Sequence, residues 1–320
     1  MNSESNLVFL CGFPSGGTDL LKNIINSNTN VSISGEFPLL YKLKKSYKNP
    51  IISGKEIIDT VKKIKKLDVY GYIKPTKTDV LNKKKYNSTI SLSKLYFDLL
   101  PGSEEIKWKG NKTPQNTEHI LELKKLFPKA KFILILRDVR DIALSWKNKW
   151  GKNELSCAYR WNKRTLKGLE SLSKLDKDMY LIIKYEDLIT NLETSIRKIC
   201  NFLSIPVQDR MFNYHKYVDE IFDGKINYGQ PIVKNNFNKW MTEMSKNKIG
   251  KIENIARTAM LKTEYSLTEN NRFTVPLVWY IIGITKDLYA MVFIGNKANK
   301  KKNFIKRIYN TFRLELRKRL

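Results

Sequence analysis

The sequence predicts an α/β protein in which helices flank a parallel sheet. Short apolar segments at 7–11, 131–136 and 179–183 are typical of buried strands, and helical patterns occur near 18–28, 117–126, 139–149 and 185–203. This alternation is typical of parallel strands joined by crossover helices. The 320 residues are enough for one large α/β domain with a substantial core.

The first predicted strand leads into a glycine-rich turn and a helix start, because residues 7–21 read LVFLCGFPSGGTDLL. Gly12 and Gly17 stand where a Walker A loop has its glycines, but Thr18 and Asp19 replace the lysine and the magnesium-binding hydroxyl. ATP or GTP hydrolysis is therefore not expected. The segment is either a plain strand-to-helix turn or a cluster of backbone amides that holds an anion without a metal.

A second segment favours the anion site. The predicted strand at 131–136 is followed by RDVRDIALSW at 137–146, which puts Arg137 at the carboxyl end of the strand and Ser145 on the next helix. Ligands of parallel α/β sheets bind at these carboxyl ends. The two side chains can therefore converge on one anion.

Together these segments resemble the cofactor-binding motifs of sulfotransferases that use 3′-phosphoadenosine 5′-phosphosulfate (PAPS). The family has a first loop of the type G-x-P-R-S-G-T-T and a later R-D-x-R-D-x-x-x-S, and the eight-residue interval from Arg137 to Ser145 matches. Three more stretches agree in order: GE at 35–36, GNKTP at 110–114, and YEDL at 185–188 with FLSIP at 202–206. The resemblance spans about residues 7–265 and is nearest to the branch with tyrosylprotein sulfotransferases and many bacterial enzymes.

The resemblance implies a P-loop NTPase-like sulfotransferase fold, with PAPS as sulfate donor and no metal. Arg137 and Ser145 would bind the 3′-phosphate of PAPS. The residues that would surround the 5′-phosphosulfate are Gly12, Pro14, Ser15, Gly16, Gly17 and Thr18.

Three further residues match cofactor contacts of the family, each with a plainer alternative. Lys149 lies one helical turn after Ser145 and is either a cofactor contact or a solvated lysine. Tyr185 resembles the tyrosine near the adenine, or it is a core aromatic. Lys234, in PIVK at 231–234, resembles the late lysine that closes over the phosphosulfate, although its distance to Trp240 differs from the tyrosylprotein pattern.

Sulfuryl transfer needs a base for the acceptor hydroxyl and positive charge at the transferred group. By resemblance Glu36 is the catalytic base, and its alternative is a carboxylate that caps a helix or pairs with a lysine. Lys112 is the electrostatic partner of the sulfuryl group, and its alternative is an ordinary loop lysine.

The first loop departs from the family pattern at two positions. Ser15 stands where most of the branch has arginine, and Lys112 or Lys22 is the nearest candidate for the missing cation. Asp19 replaces a threonine or serine, and we interpret it as a helix-start or acceptor-binding residue that is turned away or paired. A catalytically weakened PAPS-binding protein therefore remains the alternative to an active enzyme.

Outside these motifs, the sequence predicts a sulfotransferase domain at 1–275, with a largely helical acceptor-side insertion at 41–106, and an apolar segment with a basic amphipathic tail at 276–320. Near an anionic membrane each tail cation contributes about 1 kcal/mol, so the tail is either a peripheral anchor or a solvated or packed helix. Lys286 and Asp287 interrupt the apolar stretch, which argues against a membrane span.

Composition sets the remaining expectations. The chain has 59 basic and 31 acidic residues, a net charge of +28 that is spread along its length, and no nucleic-acid-binding motif. Three scattered cysteines and two histidines predict neither a metal site nor a disulfide framework, so we expect a cytoplasmic protein, peripheral on the inner membrane face if the tail anchors it. The hydroxyl acceptor is a glycan, a lipid-linked glycan, a protein tyrosine or a small molecule.

Overall fold

A computed structural model of the chain describes residues 6–36, 51–52, 90–91, 105–217 and 230–268. The predicted tail at 276–320 lies outside these ranges, as does nearly all of the predicted insertion at 41–106. The membrane-binding role of the tail and the helical character of the insertion therefore stay predictions.

The described strands form one parallel sheet and one short antiparallel pair. They run over Asn6–Cys11 (β1), Val31–Ser34 (β2), Ile51–Ile52 (β3), Ile90–Ser91 (β4), Trp108–Lys112 (β5), Lys131–Leu136 (β6) and Tyr180–Lys184 (β7). The spatial order of the parallel sheet is β2-β5-β1-β6-β7, and β3 pairs with β4. The predicted parallel α/β sheet is confirmed.

The four predicted helices are present, two of them with an interruption, whereas Glu154–Leu172, Asp209–Phe212, Trp240–Glu243 and Lys246–Lys262 were not predicted. The predicted helix at 185–203 is two helices separated by Asn191, and the one near 117–126 begins as a 3-10 helix over Pro114–Glu118. The described α-helices are Thr18–Asn26 (α1), Ile120–Leu126 (α2), Val139–Trp150 (α3), Glu154–Leu172 (α4), Tyr185–Thr190 (α5), Leu192–Leu203 (α6), Asp209–Phe212 (α7), Trp240–Glu243 (α8) and Lys246–Lys262 (α9).

Strand β1 is the centre of the sheet. Residues Val8 to Cys11 have no solvent exposure, and β1 pairs with β5 on one side and β6 on the other. A parallel strand that is covered on both faces is uniformly apolar, as the sequence of β1 is. The loop that follows β1 therefore starts from a fixed position at the carboxyl edge of the sheet.

Strand β5 has no apolar pattern, and the sequence did not predict it. Its residues read WKGNK, and the sequence marks 110–114 only as a stretch that resembles the family motif. Gly110 lies against the backbone oxygen of Val8 so closely that a Cβ atom would overlap it. The Trp108 indole Nε1 donates to the carbonyl of Leu203 at 2.7 Å. This polar strand lacks an apolar face, and it is instead stabilised by backbone pairing and by the hydrogen bond of the Trp108 indole.

The described residues divide into two compact units. The first consists of those within 1–136 and 167–235 and contains the parallel sheet; the second consists of those within 137–166 and 236–320. In the second unit α3 packs on α8 and α9.

No helix in the described ranges is long and apolar enough to span a bilayer. The same ranges hold no group of three or more His, Cys, Asp or Glu side chains placed to bind a metal. The side chains of Cys11, Cys157 and Cys200 are buried thiols that are not joined in disulfides.

Candidate active site

The loop between β1 and α1 is a tight, partly left-handed turn. The N–H of Gly16 donates to the carbonyl of Phe13 at 2.8 Å, and Ser15 has a φ of 64°. Gly17 is the N-cap of α1 at a φ of 91°, and a Cβ atom there would overlap the ring of Tyr185. Glycine at position 17 is therefore required both by its backbone conformation and by its close neighbour.

The amides of this loop have different partners at its two ends. The N–H of Gly12 donates to the Thr117 hydroxyl at 2.7 Å, and that hydroxyl lies 2.9 Å from the Gly12 carbonyl oxygen. Thr117, which the sequence reading did not single out, therefore anchors the start of the loop. At the other end, the first-turn amides of α1 lack intrahelical acceptors, and a glycine N-cap has no side chain to supply one. The amides that could donate to an anion therefore lie at the Gly17 end of the loop.

Lys112, the last residue of β5, joins two carboxylates. Its Nζ atom lies 2.7 Å from Oδ1 of Asp19 and 3.2 Å from Oε1 of Glu36. The lysine side chain is 4% exposed, whereas those of Asp19 and Glu36 are 31% and 40% exposed. Burial opposes the charged form of Lys112, but Asp19 and Glu36 together raise its pKa. Lys112 is therefore a strand-end cation and not an ordinary loop lysine.

A second buried lysine belongs to the same charge cluster. Lys22 lies one turn after Asp19 on α1 and is 4% exposed. Burial lowers its pKa to about 8, with Lys112 acting in the same direction and with Asp19 and Glu36 opposing. Two lysines and two carboxylates thus balance each other beside the loop.

The amide of Asn111 fixes the spacing between the two catalytic candidates. Its Nδ2 atom donates to the Ser34 hydroxyl at 3.1 Å and to the carbonyl of Gly35 at 3.0 Å. Glu36 follows Gly35 directly, and Lys112 follows Asn111. The side chain of Asn111 therefore ties the end of β2 to the end of β5, and this role was not predicted.

Glu36 fits both readings that the sequence allowed. It pairs with a lysine, as the structural alternative required, and that lysine is the predicted catalytic partner Lys112. Its side chain is also open enough for a ligand hydroxyl to reach it.

Arg137 and its neighbours lie in the second unit. Arg137 is 8% exposed, and its Nη2 atom donates to the carbonyl of Asn236 at 2.8 Å. The carboxylate of Asp141 accepts from the N–H of Asn238 at 2.7 Å and of Trp240 at 3.2 Å. Burial raises the pKa of Asp141, while Arg137 opposes that rise. The segment at 236–240 is thereby bound to the start of α3.

The other charges of the RDVRD motif have structural partners. Asp138 caps α3 by accepting from the N–H of Arg140 at 2.8 Å, and it forms an ion pair with the Arg140 guanidinium at 2.6 Å. Arg140 also pairs with Glu253 at 2.6 Å and stacks on Trp240, 3.6 Å from the ring centroid. This network was not predicted, and it leaves Arg137 as the residue of the motif with a candidate ligand role.

The remaining predicted residues lie as follows. Ser145 is half-buried and Lys149 is exposed, four residues apart on α3 and hence on one helix face. Tyr185 is 5% exposed and packs against Gly17. Lys234 is exposed and lines an open cavity of about 460 Å³ with residues of α5 and α6.

Comparison with known proteins gives consistent matches. The profile of the Sulfotransferase family matches residues 8–209. Protein-tyrosine sulfotransferase A of Caenorhabditis elegans is 23% identical over 228 residues, covering 68% of this chain and 54% of that protein, so the chain spans about half the length of this relative. The sulfotransferase domain from the curacin biosynthetic pathway superposes with a TM-score of 0.56 at 19% identity, covering 83% of this chain and 100% of that one. A mouse sulfotransferase complexed with PAP covers 91% of this chain and 90% of its own, at a TM-score of 0.50 and 15% identity.

Proposed function

Because the chain belongs to the sulfotransferase family, we propose that it transfers the sulfuryl group of PAPS to the hydroxyl of an acceptor. The observation that carries this proposal is the contact between Lys112 and Glu36 at the carboxyl ends of two neighbouring parallel strands. A buried cation and an accessible carboxylate, held side by side, are the two groups that the reaction needs.

In the proposed reaction the acceptor oxygen attacks the sulfur of PAPS. A new O–S bond forms, the bond from sulfur to the bridging phosphate oxygen breaks, and PAP (adenosine 3′,5′-bisphosphate) leaves. Glu36 takes the proton of the acceptor hydroxyl. Lys112 neutralises the negative charge on the sulfuryl oxygens and the leaving phosphate, so the transfer does not depend on a divalent cation.

The loop and the family motifs supply the proposed cofactor contacts. The Gly17 end of the loop offers first-turn amides for the 5′-phosphosulfate. The resemblance assigns the 3′-phosphate to Arg137 and Ser145. In the structure, one nitrogen of the Arg137 guanidinium donates a hydrogen bond to the carbonyl of Asn236. We extend the cofactor role to Lys149, Tyr185 and Lys234 on the strength of their motif positions.

Lys112 is our candidate for the cation that the first loop lacks at Ser15. Of the two candidates on the sequence, Lys112 contacts the proposed base directly.

The relatives and the sequence favour different classes of hydroxyl acceptor. A protein-tyrosine sulfotransferase among the relatives favours a phenolic hydroxyl, and the predicted membrane-binding tail favours a glycan or lipid-linked glycan. Incubating the protein with labelled PAPS and separate pools of tyrosine peptides, glycans and small phenols, in EDTA, tests the proposal. We expect label in one pool. PAP binding without transfer to any pool would favour the weakened enzyme, and neither binding nor transfer would reject the function.

A further inference from the structure

We propose that Thr113 and Asn116 are positioning residues for the transfer reaction, because they orient the amide of Asn111 that holds Glu36 beside Lys112. This inference rests on the proposed function, since Glu36 is the base of that reaction. It assigns a role in turnover to two residues that were not among the predicted site residues.

The side-chain amide of Asn111 has partners for all of its hydrogen-bonding groups. Its Nδ2 atom donates to the Ser34 hydroxyl and to the carbonyl of Gly35. Its Oδ1 atom accepts from the Thr113 hydroxyl at 2.8 Å and from Nδ2 of Asn116 at 3.1 Å. An asparagine side chain can donate two hydrogen bonds and accept two. The observed orientation of the amide therefore uses its full capacity.

This orientation matters for Glu36. A half-turn of the Asn111 amide would place Oδ1 against the carbonyl oxygen of Gly35 and Nδ2 against the amide nitrogen of Asn116. The first contact would join two acceptors and the second two donors, and the tie from Asn111 to the residue before Glu36 would be lost. Asn116 makes the half-turn unfavourable, and the Thr113 hydroxyl stabilises the orientation that is observed.

The network lies in the interior of the first unit. Ser34, Asn111, Thr113 and Asn116 are each 3% exposed or less. Hydrogen bonds in a low-dielectric interior are stronger than in water, and a buried polar group without a partner is costly. Nδ2 of Asn116 also lies 3.4 Å from the carbonyl oxygen of Leu10 on β1. The network thus reaches the carboxyl ends of three neighbouring strands, β2, β5 and β1.

The hydroxyl of Thr113 serves this network and not the helix that follows it. Thr113 is the N-cap of the 3-10 helix over Pro114–Glu118, yet its side chain makes no capping hydrogen bond. Threonine at an N-cap usually accepts from a backbone N–H of the first turn. Here the hydroxyl donates past Lys112 to the side chain of Asn111. The contact joins the residues on either side of Lys112, which favours a role in site geometry.

The test compares Thr113→Val, which removes the hydroxyl but keeps the shape, with Thr113→Ser, which keeps the hydroxyl. Turnover is measured as transfer of label from PAPS to the pools of tyrosine peptides, glycans and small phenols. We expect Thr113→Val to lose about three- to thirtyfold in turnover, since small displacements of reacting groups are costly, and Thr113→Ser to recover most of that loss. Calorimetric titration with PAP should give near-wild-type affinity for both variants.

Thr263→Val is the matched control in the second unit. The Thr263 hydroxyl is buried and donates to the Ala259 carbonyl at 2.7 Å at the end of α9. This variant also loses a buried hydroxyl and should keep wild-type turnover. Asn116→Ala removes the other donor to Asn111, so it should lose turnover as Thr113→Val does. It serves as the test if Thr113→Val does not fold.

A double-mutant cycle with Glu36→Gln shows whether the network acts through the base. In the Glu36→Gln background, Thr113→Val should cost less than about twofold in turnover, because the group that the network positions is already lost. Equal losses in both backgrounds, or wild-type turnover in Thr113→Val and Asn116→Ala, overturn the positioning role and leave the proposed function intact. If the wild-type protein neither binds PAP nor transfers label, the proposed function is rejected, and the positioning role with it.

Discussion

The ammonium of Lys112 lies 3.2 Å from the carboxylate of Glu36, at the ends of two strands that pair in the sheet. This contact brings together a buried positive charge and a carboxylate that a ligand can reach. The hydrogen bonds of Asn111 to Ser34 and Gly35 keep the two strand ends in register. The two proposed catalytic residues are thus held at the ends of two paired strands.

Replacing Glu36 with glutamine should lower turnover by about 10²- to 10⁴-fold while PAP affinity stays near that of wild type. Glutamine keeps the shape and the hydrogen bond to Lys112 but cannot accept the acceptor proton. Labelled sulfate transfer measures the first effect and calorimetry the second. Glu170→Gln, which removes an exposed carboxylate paired with Lys174, is the control. Unchanged turnover in Glu36→Gln would remove this residue from the base role.

Replacing Lys112 with glutamine should cost about 10²- to 10³-fold in turnover, because the proposed neutralisation of charge on the sulfuryl oxygens and the leaving phosphate is lost. Lys112→Arg restores the charge and should recover part of the loss. Lys174→Gln, which removes an exposed lysine, should have wild-type rates. Equal rates for Lys112→Gln and Lys174→Gln would contradict the electrostatic role.

Replacing Gly17 with alanine should abolish PAP binding and destabilise the fold. A left-handed backbone costs a non-glycine residue about 1–2 kcal/mol, and the new methyl group would also overlap Tyr185. Gly151→Ala is the matched control, because Gly151 has a φ of 61° at the end of α3. Chemical denaturation should show a loss in both variants, whereas PAP titration should fail only for Gly17→Ala. Normal PAP affinity in a folded Gly17→Ala protein would exclude the loop as the phosphate site.

Replacing Arg137 with alanine should weaken PAP binding by about 1.5–3 kcal/mol, the usual worth of hydrogen bonds to a charged group. The contact of Arg137 with the Asn236 carbonyl is lost as well, so unfolding must be measured in parallel. Arg197→Ala, which removes an exposed arginine that pairs with Glu193, controls for net charge. Near-wild-type PAP affinity in Arg137→Ala would count against the assignment of the 3′-phosphate.

The sequence predicted the apolar parts of the fold well. Strands β1 and β6 and helices α1 and α3 lie within two residues of the predicted bounds, because buried strands are continuous apolar runs and amphipathic helices carry periodic apolar residues. Strand β5 was not predicted, since a lysine, a glycine and an asparagine fill its centre. The interruption of the predicted helix at Asn191 was not predicted either, because helical periodicity continues on both sides of this residue.

The sequence predicted two members of the charge cluster, Glu36 and Lys112, but not the contact of Asp19 with Lys112. The GE and GNKTP motifs named Glu36 and Lys112 separately, and parallel pairing of β2 with β5 brings them together. The pairing of Asp19 with Lys112 depends on the packing of α1 beside β2 and β5, which no local pattern encodes. The roles of Asn111 and Thr117 are likewise hydrogen bonds between elements distant in sequence.

The most direct measurement is a calorimetric titration of the purified protein with PAP in EDTA. We expect a single saturable site that needs no divalent cation, with a higher melting temperature in the presence of PAP. Absence of saturable binding, or binding that requires added magnesium, would contradict a metal-free phosphosulfate site at the Gly17 loop.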